Sequence, residues 1–516
     1  MPFYPRTKGS GFADNHTDEE HRRLHARELF ETHHDAGIVH QELDQAHGPE
    51  HAHAVMRRFD AQSTRHKRAA IRYNNARIAV KDTLDRIGFS FVNLQFLNII
   101  FYILVPSYLI IGLALSCRSF VSAWVENNYE ALRGSFQAEK VRGYWYGSLL
   151  GYALIFTAFT ITFNLIVPYA ILFILIGVLG ALYVKSGLVI LSSGLPRDKM
   201  SHYVKWIAYY GLFITAGILV LAGVLLDIFD IPLAIGPLVV YGYAMLFFIA
   251  GLLFLISAYV LSALKQASTH EERHARFREI IAKNREDLRA MLAKRGPIRS
   301  LLIAGMLFYG IQTTLNYYLG LHLFEEYLSF TFVAILLAAT IITAFAVPLF
   351  FDKRSVHRWG NAPMLLLGSG LAFLLPALFA LSSYPPTLRV LNGLLGGGYV
   401  TSTISAAEFF PLFYIFIGVA GSSIAGIAFS RIALAELPRR ERGRFMNVLG
   451  MGTGALTAGL ILLVFSLRYV SGSPALAFAS IALIYLVVTL AFGIVVEKLA
   501  KRSLRTEVFA RTEGNI

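Results

Sequence analysis

Long uncharged apolar runs alternate along this chain with short polar segments that are mostly basic. Runs such as 364–381 and 475–496 contain no charged residue. About 20 apolar residues cross the hydrocarbon core of a bilayer, so each such run predicts a membrane-spanning helix. The runs are continuously apolar rather than alternating, which argues against transmembrane strands. The fold class that follows is an all-α polytopic membrane protein.

The predicted spans are roughly 87–125, 144–166, 168–192, 203–227 and 235–263, then 299–322, 328–350, 364–383, 407–431, 443–467 and 475–497. The first run holds 39 residues with only Arg118 charged, too long for one helix across a core about 30 Å thick. Pro106 lies near its middle, where a helix stops or kinks. Two short spans, 87–105 and 107–125, joined in a tight hairpin, bring the total to twelve in two six-helix halves. One kinked span would give eleven.

The expected organisation is a histidine-rich polar tail (1–86), a six-helix half (87–263), a connector (264–298), a second six-helix half (299–497) and a basic tail (498–516). In the connector, Ser268 and Glu271 have capping-box spacing and Gly296-Pro297 forms a stop. Phe277, Ile281, Leu288 and Leu292 recur near helical period, so one face is expected to pack on the bundle or the lipid surface. A basic amphipathic helix of this kind is alternatively a partner site.

Charge sets the orientation. The residues are 55% hydrophobic and 16% charged with a net charge of +14, and Lys and Arg gather in the loops. That distribution fits the positive-inside rule and needs no nucleic-acid partner. Both tails and the connector are therefore expected in the cytoplasm, in a bacterial-type inner (plasma) membrane. No cleaved signal peptide is expected, and the single cysteine, Cys117, cannot form an internal disulfide.

A weak internal repeat runs through the chain. Leu195-Pro196-Arg197 recurs as Leu437-Pro438-Arg439, at an offset of 242. At the same offset Tyr203 meets Phe445, and Thr215-Ala216-Gly217 meets Thr457-Ala458-Gly459. Parallel repeats of this type place a binding site between two halves of some transporters.

These features together resemble the major facilitator superfamily. The loop from Glu436 to Arg444 resembles that family's loop between helices ten and eleven, and Leu195 to Lys199 its four-to-five counterpart. After helix eight, Pro348 to Ser355 is similar to the G-x-x-x-D-R/K-x-G signature. Asp352 and Lys353 hold its charged places, while Pro348 and Ser355 replace both glycines. The stronger copy expected after helix two is missing, since 126–142 is charged but lacks the pattern. The resemblance implies a secondary transporter that moves a small solute by alternating access, with gating charges at Arg197, Asp198, Asp352, Lys353, Arg439 and Arg442. It covers roughly 87–497.

Ionisable groups at membrane depth are costly and tend to be functional. No Asp or Glu falls mid-span in these boundaries, and Lys185 is the exception among the cations, expected near mid-membrane. It would bind an anionic substrate group, or snorkel to the cytoplasmic interface if it is shallower. Tyr309, Gln312, Asn316 and Tyr317 share one side of helix seven, and Asn98 and Tyr102 lie one turn apart in the first run. The resemblance implies that helices one and seven line the cavity; the alternative is that these residues hold helices together by hydrogen bonds.

In the tail, His33, His34, His51 and His53 have spacings that could bind a metal, although a solvated tail needs no ligand. No nucleophile–base pair or HExxH helix marks an enzyme, and no cofactor is expected. Expected partners are the lipid bilayer and a small substrate, anionic if Lys185 binds it. The degenerate first half and long tail fit a second reading, a non-transporting subunit docked in a membrane protein assembly.

Overall fold

The computed structural model describes residues 73–129, 135–194, 211–228, 233–235, 238–265, 277–293, 297–350, 360–383 and 406–513, and every structural statement below concerns these. They form an integral membrane protein built from helices. The first half contains α1 (73–91), α2 (Leu94–Leu104), α3 (Tyr108–Asn128), α4 (Phe136–Thr162), α5 (Ile166–Gly194), α6 (Leu212–Ile228) and α7 (Gly242–Ser262). A connector helix α8 (Phe277–Ala293) follows. The second half contains α9 (Pro297–Tyr327), α10 (Phe330–Phe350), α11 (Asn361–Ser382), α12 (Ala406–Glu436), α13 (Arg439–Ser471) and α14 (Pro474–Glu513). A two-stranded antiparallel hairpin, β1 (Leu233–Ile235) and β2 (Leu238–Val240), joins α6 to α7.

Eleven spans are long and apolar enough to cross a membrane, α1 and α2 together forming one, Tyr73–Leu104. The shorter apolar helix Leu212–Ile228 makes twelve. The 87–125 run divides where Pro106 predicts: α2 ends at Leu104 and α3 starts at Tyr108.

The chain is already helical at residue 73, the first described, ahead of the 87 expected for the first span. The basic stretch read as tail is helical because its charges neutralise one another one turn apart. Lys81 pairs with Asp85, and Arg86 with Asp82 at 2.7 Å. Asp85 also accepts from Tyr183 at 3.0 Å and Ser257 at 2.6 Å, while Lys81 lies 4.9 Å from the Tyr183 ring centre. Buried charge is tolerated when it is paired and hydrogen-bonded.

The two halves repeat their packing. Within the first, α4 lies on α7 and α3 on α5; within the second, α11 lies on α14 and α10 on α12. Between halves the main contacts are α3 on α13 and α6 on α10. Counting twelve spans, adding six to a span's number converts each contact into its counterpart. The repeated tripeptides Thr215-Ala216-Gly217 and Thr457-Ala458-Gly459 fall on α6 and α13, which this operation exchanges. The first copy of the Leu-Pro-Arg motif lies outside the described residues. Close approach of α6 and α10 requires Gly223, where a Cβ would stand 2.4 Å from that of Ala334.

Candidate functional site

One face of α3 carries Arg118, Ser122 and Glu126 at four-residue intervals, so the three side chains rise in a column. That column forms a wall of a cavity of about 560 Å³ between the halves. The facing walls come from α9, through Tyr309, Thr313 and Tyr317, and from α13, through Met446, Thr453 and Thr457. Leu94 and Gly177 close the sides.

Glu126, Asn127 and Met446 also line an adjoining chamber of about 440 Å³, shared with Tyr129, Lys185 and Ser192. These residues lie at the α3 and α5 ends and the α13 start that border the basic loops. The cavity thus opens toward the basic side. At its edge Glu139 is fully buried and accepts from Tyr129, Ser186 and, at 3.0 Å, Arg142. Burial, reinforced by this carboxylate, pushes the Tyr129 phenol above its usual range, so it stays a donor.

Arg118 sits midway along α3, about 15 Å from either end at about 1.5 Å per residue. Its guanidinium donates to the Phe173 carbonyl at 3.0 Å and lies 4.6 Å from the Phe173 ring centre. Gly177 makes room for it: a Cβ there would stand 2.7 Å from Arg118 Nε and 3.0 Å from Ser122 Oγ. Among the described residues no carboxylate lies within ion-pair distance of Arg118. Two buried hydroxyls on the same walls, Ser122 Oγ and Thr453 Oγ1, have no hydrogen-bond partner.

The other side is closed by polar contacts between halves. Tyr102 of α2 and Tyr108 of α3 both donate to Glu325 of α9. Arg468 of α13 pairs with Glu325 at 3.2 Å and lies 4.9 Å from the Tyr108 ring centre. Gln95 donates to the Asn316 carbonyl at 2.7 Å, and Ser116 to the Ala458 carbonyl at 2.7 Å. Asp227, at the end of α6, accepts from the Phe330 and Thr331 amides at 2.7 and 2.8 Å and from Ser329 at 2.8 Å. A carboxylate there satisfies first-turn donors of α10 and faces the positive end of its dipole.

On the basic side, α8 joins the halves. Asn284 donates to Asn128 of α3 at 2.8 Å and accepts from Asn447 of α13 at 2.8 Å. Asp287 pairs with Arg444 at 2.7 Å. The bundle-facing side of α8 thus includes the polar Asn284 and Asp287 beside Leu288, Met291 and Leu292, where only its apolar residues were expected to pack.

Of the residues singled out by sequence, Tyr309 and Tyr317 line the cavity and Lys185 its outer chamber. Gln312, Asn316 and the fully buried Asn98 do not line it, and Tyr102 belongs to the closed side. Lys185 therefore stands apart from Arg118, in the chamber it shares with Glu126, Asn127 and Met446. Asp85 and Glu139, which lie outside the spans drawn from the sequence, belong to the described helices, and both are paired inside the first half. Arg442 donates to the carbonyls of Leu434 at 2.5 Å and Leu437 at 3.1 Å, capping the end of α12. Arg197, Asp198, Asp352, Lys353, His33, His34, His51 and His53 lie outside the described residues, and Arg439 is placed only as the first residue of α13. Sequence reasoning passed over Arg118, Ser122, Glu126, Arg468 and the role of Glu325. The signal for Arg118 was its isolation as the single charge in a 39-residue apolar run.

No protein-family model and no curated protein sequence matches the chain. Solved structures do match. A bacterial homologue of the iron transporter ferroportin in an inward-facing state superposes with a TM-score of 0.57 at 14% identity, covering 82% of this chain and 98% of that one. A POT family transporter in complex with 5-aminolevulinic acid gives 0.55 at 14% identity, covering 81% and 96%. The nucleoside transporter NupG gives 0.53 at 12% identity, covering 82% and 99%. This chain has the fold of these transporters.

Proposed function

We propose that this protein is a secondary transporter that carries a small solute by alternating access, its two halves rocking about the cavity bounded by α3, α9 and α13. One observation carries this reading: a polar cavity between the halves opens at one side, while charge and hydrogen bonds tie the halves together at the other. Its fold-sharing neighbours, described as a homologue of an iron transporter, a POT family transporter and a nucleoside transporter, support it. The basic loops face the cytoplasm by the positive-inside rule. Both termini and α8 then lie in the cytoplasm, and the cavity faces inward. Opening outward requires the Glu325 cluster and the Asp227 cap to release, and the inner mouth to close against Asn127 and Met446. A ligand drives such a change only by binding the two states unequally.

The test is the direction from which the cavity can be reached. A Thr453→Cys chain lacking the native thiol (Cys117→Ser) is exposed to a membrane-impermeant maleimide in sealed vesicles of either orientation. Labelling is expected from the cytoplasmic face, and Glu325→Gln is expected to raise labelling from the opposite face severalfold. Labelling confined to one face in every variant would sink alternating access.

A further inference from the structure

We infer that the cavity recognises its substrate through an oxyanion headgroup, a carboxylate or a phosphate, held by Arg118 between the two halves. This deepens the transporter reading and rests on it. A guanidinium exposed to lipid at mid-membrane is costly, so such a charge faces protein or water. Here it faces a solvent-accessible cavity and has no carboxylate partner among the described residues. The Phe173 carbonyl and ring occupy one edge and one face of the side chain and fix its orientation. The remaining N–H groups form a planar fork, the geometry that matches carboxylate and phosphate oxygens in pairs.

The unpartnered hydroxyls supply the second observation. A buried hydroxyl without a partner is costly, so two on facing walls of one cavity point to a missing ligand or water. Ser122 lies one turn from Arg118 on α3, and Thr453 lies on α13 in the opposite half. An oxyanion held by Arg118 has acceptor lone pairs left for both hydroxyls. It therefore bonds to both halves at once, as a ligand must if its binding is to bias their rocking.

The other charges in the cavity do not reverse this preference. Glu126 lies two turns nearer the mouth, about 12 Å along α3, and shares its chamber with Lys185. Opposite charges at the mouth offset one another. The deep end keeps the net positive charge of Arg118.

Purified full-length protein in detergent is titrated with inorganic phosphate, glycerol 3-phosphate, succinate and citrate, with chloride at matched ionic strength and uridine as controls, and thermal unfolding is read. At least one oxyanion is expected to raise Tm saturably, and the responding probe distinguishes phosphate from carboxylate recognition. Arg118→Gln should weaken that binding at least tenfold, and Arg118→Lys should retain part of it. Gly177→Ala, which crowds the guanidinium, should weaken it too. If Arg118→Gln loses its monodispersity, Ser122→Ala and Thr453→Val carry the test, each expected to lower affinity severalfold in a normally folded chain. Failure of every oxyanion to stabilise the protein overturns the inference, as does unchanged affinity in the folded variants. Maleimide access to the cavity is measured on Arg118→Gln in parallel. Two-sided access without oxyanion binding refutes the anion site and leaves the transporter standing; one-sided access throughout refutes the transporter itself.

Discussion

At the scale of single residues, the charges that matter are distinguished by depth and by partner. Lys185 and Arg118 both look like intramembrane cations in the sequence. The difference between them depends on which chamber each lines, and that is decided by packing between helices distant in the chain. Drawn as 107–125 and 168–192, the two spans put Arg118 and Lys185 equally far from their nearer ends. With α3 running Tyr108–Asn128, Arg118 is central and lines the cavity between the halves, while Lys185 lines the adjoining chamber. Lys185→Met keeps the apolar stem and removes only a mouth charge. It is expected to change oxyanion affinity no more than about threefold in the titration that Arg118→Gln should fail; equal losses would place the two cations in one site. Arg442 acts differently, on the carbonyls that end α12. Its replacement by Ala is expected to cost about 0.3–1 kcal/mol of stability, the worth of a cation at a helix C-terminus, read by thermal unfolding. It should leave ligand affinity intact.

Among the elements, the hairpin at Pro106 was legible because proline and excess length pointed to the same place. The start of α1 was not, because a basic, acid-containing stretch scores as polar even when its charges cancel along a helix. The spacing Lys81-x3-Asp85 and Asp82-x3-Arg86 was the available signal. A chain starting near residue 70 is therefore expected to insert and remain monodisperse in detergent. One starting at 87 should aggregate, because it leaves Tyr183 and Ser257 without Asp85. Normal behaviour of the shorter chain would return the boundary to 87. The end of α6 tells a similar story: Asp227 is only the last residue of the span 203–227 in the sequence but serves as a cap for a helix in the other half. Asp227→Ala removes the acceptor for two α10 amides and should cost about 0.5–2 kcal/mol in thermal unfolding. It should also loosen the closed side. The polar face of α8 escaped notice for the same reason, since an asparagine's partners cannot be seen along one helix's own periodicity.

For the molecule as a whole, hydropathy and the internal repeat together conveyed two six-helix halves, and the inter-half contacts obey the symmetry that the repeat implies. What a single sequence could not convey is which side is shut, because that is decided by side chains far apart in the chain. Tyr102, Tyr108, Glu325 and Arg468 meet only after folding. Alternating access makes a joint demand on both ends of the molecule: as one gap widens, the other must narrow. Spin labels at the exposed positions Phe163 and Val470 report the closed side, and labels at Val141 and Leu434 the basic side. Distances are measured for each pair by pulsed electron resonance in lipid, with and without Glu325→Gln. The account predicts a short Phe163–Val470 distance and a long Val141–Leu434 distance, with the variant lengthening the first and shortening the second. Two distances that stay fixed, or that change in the same direction, would contradict it.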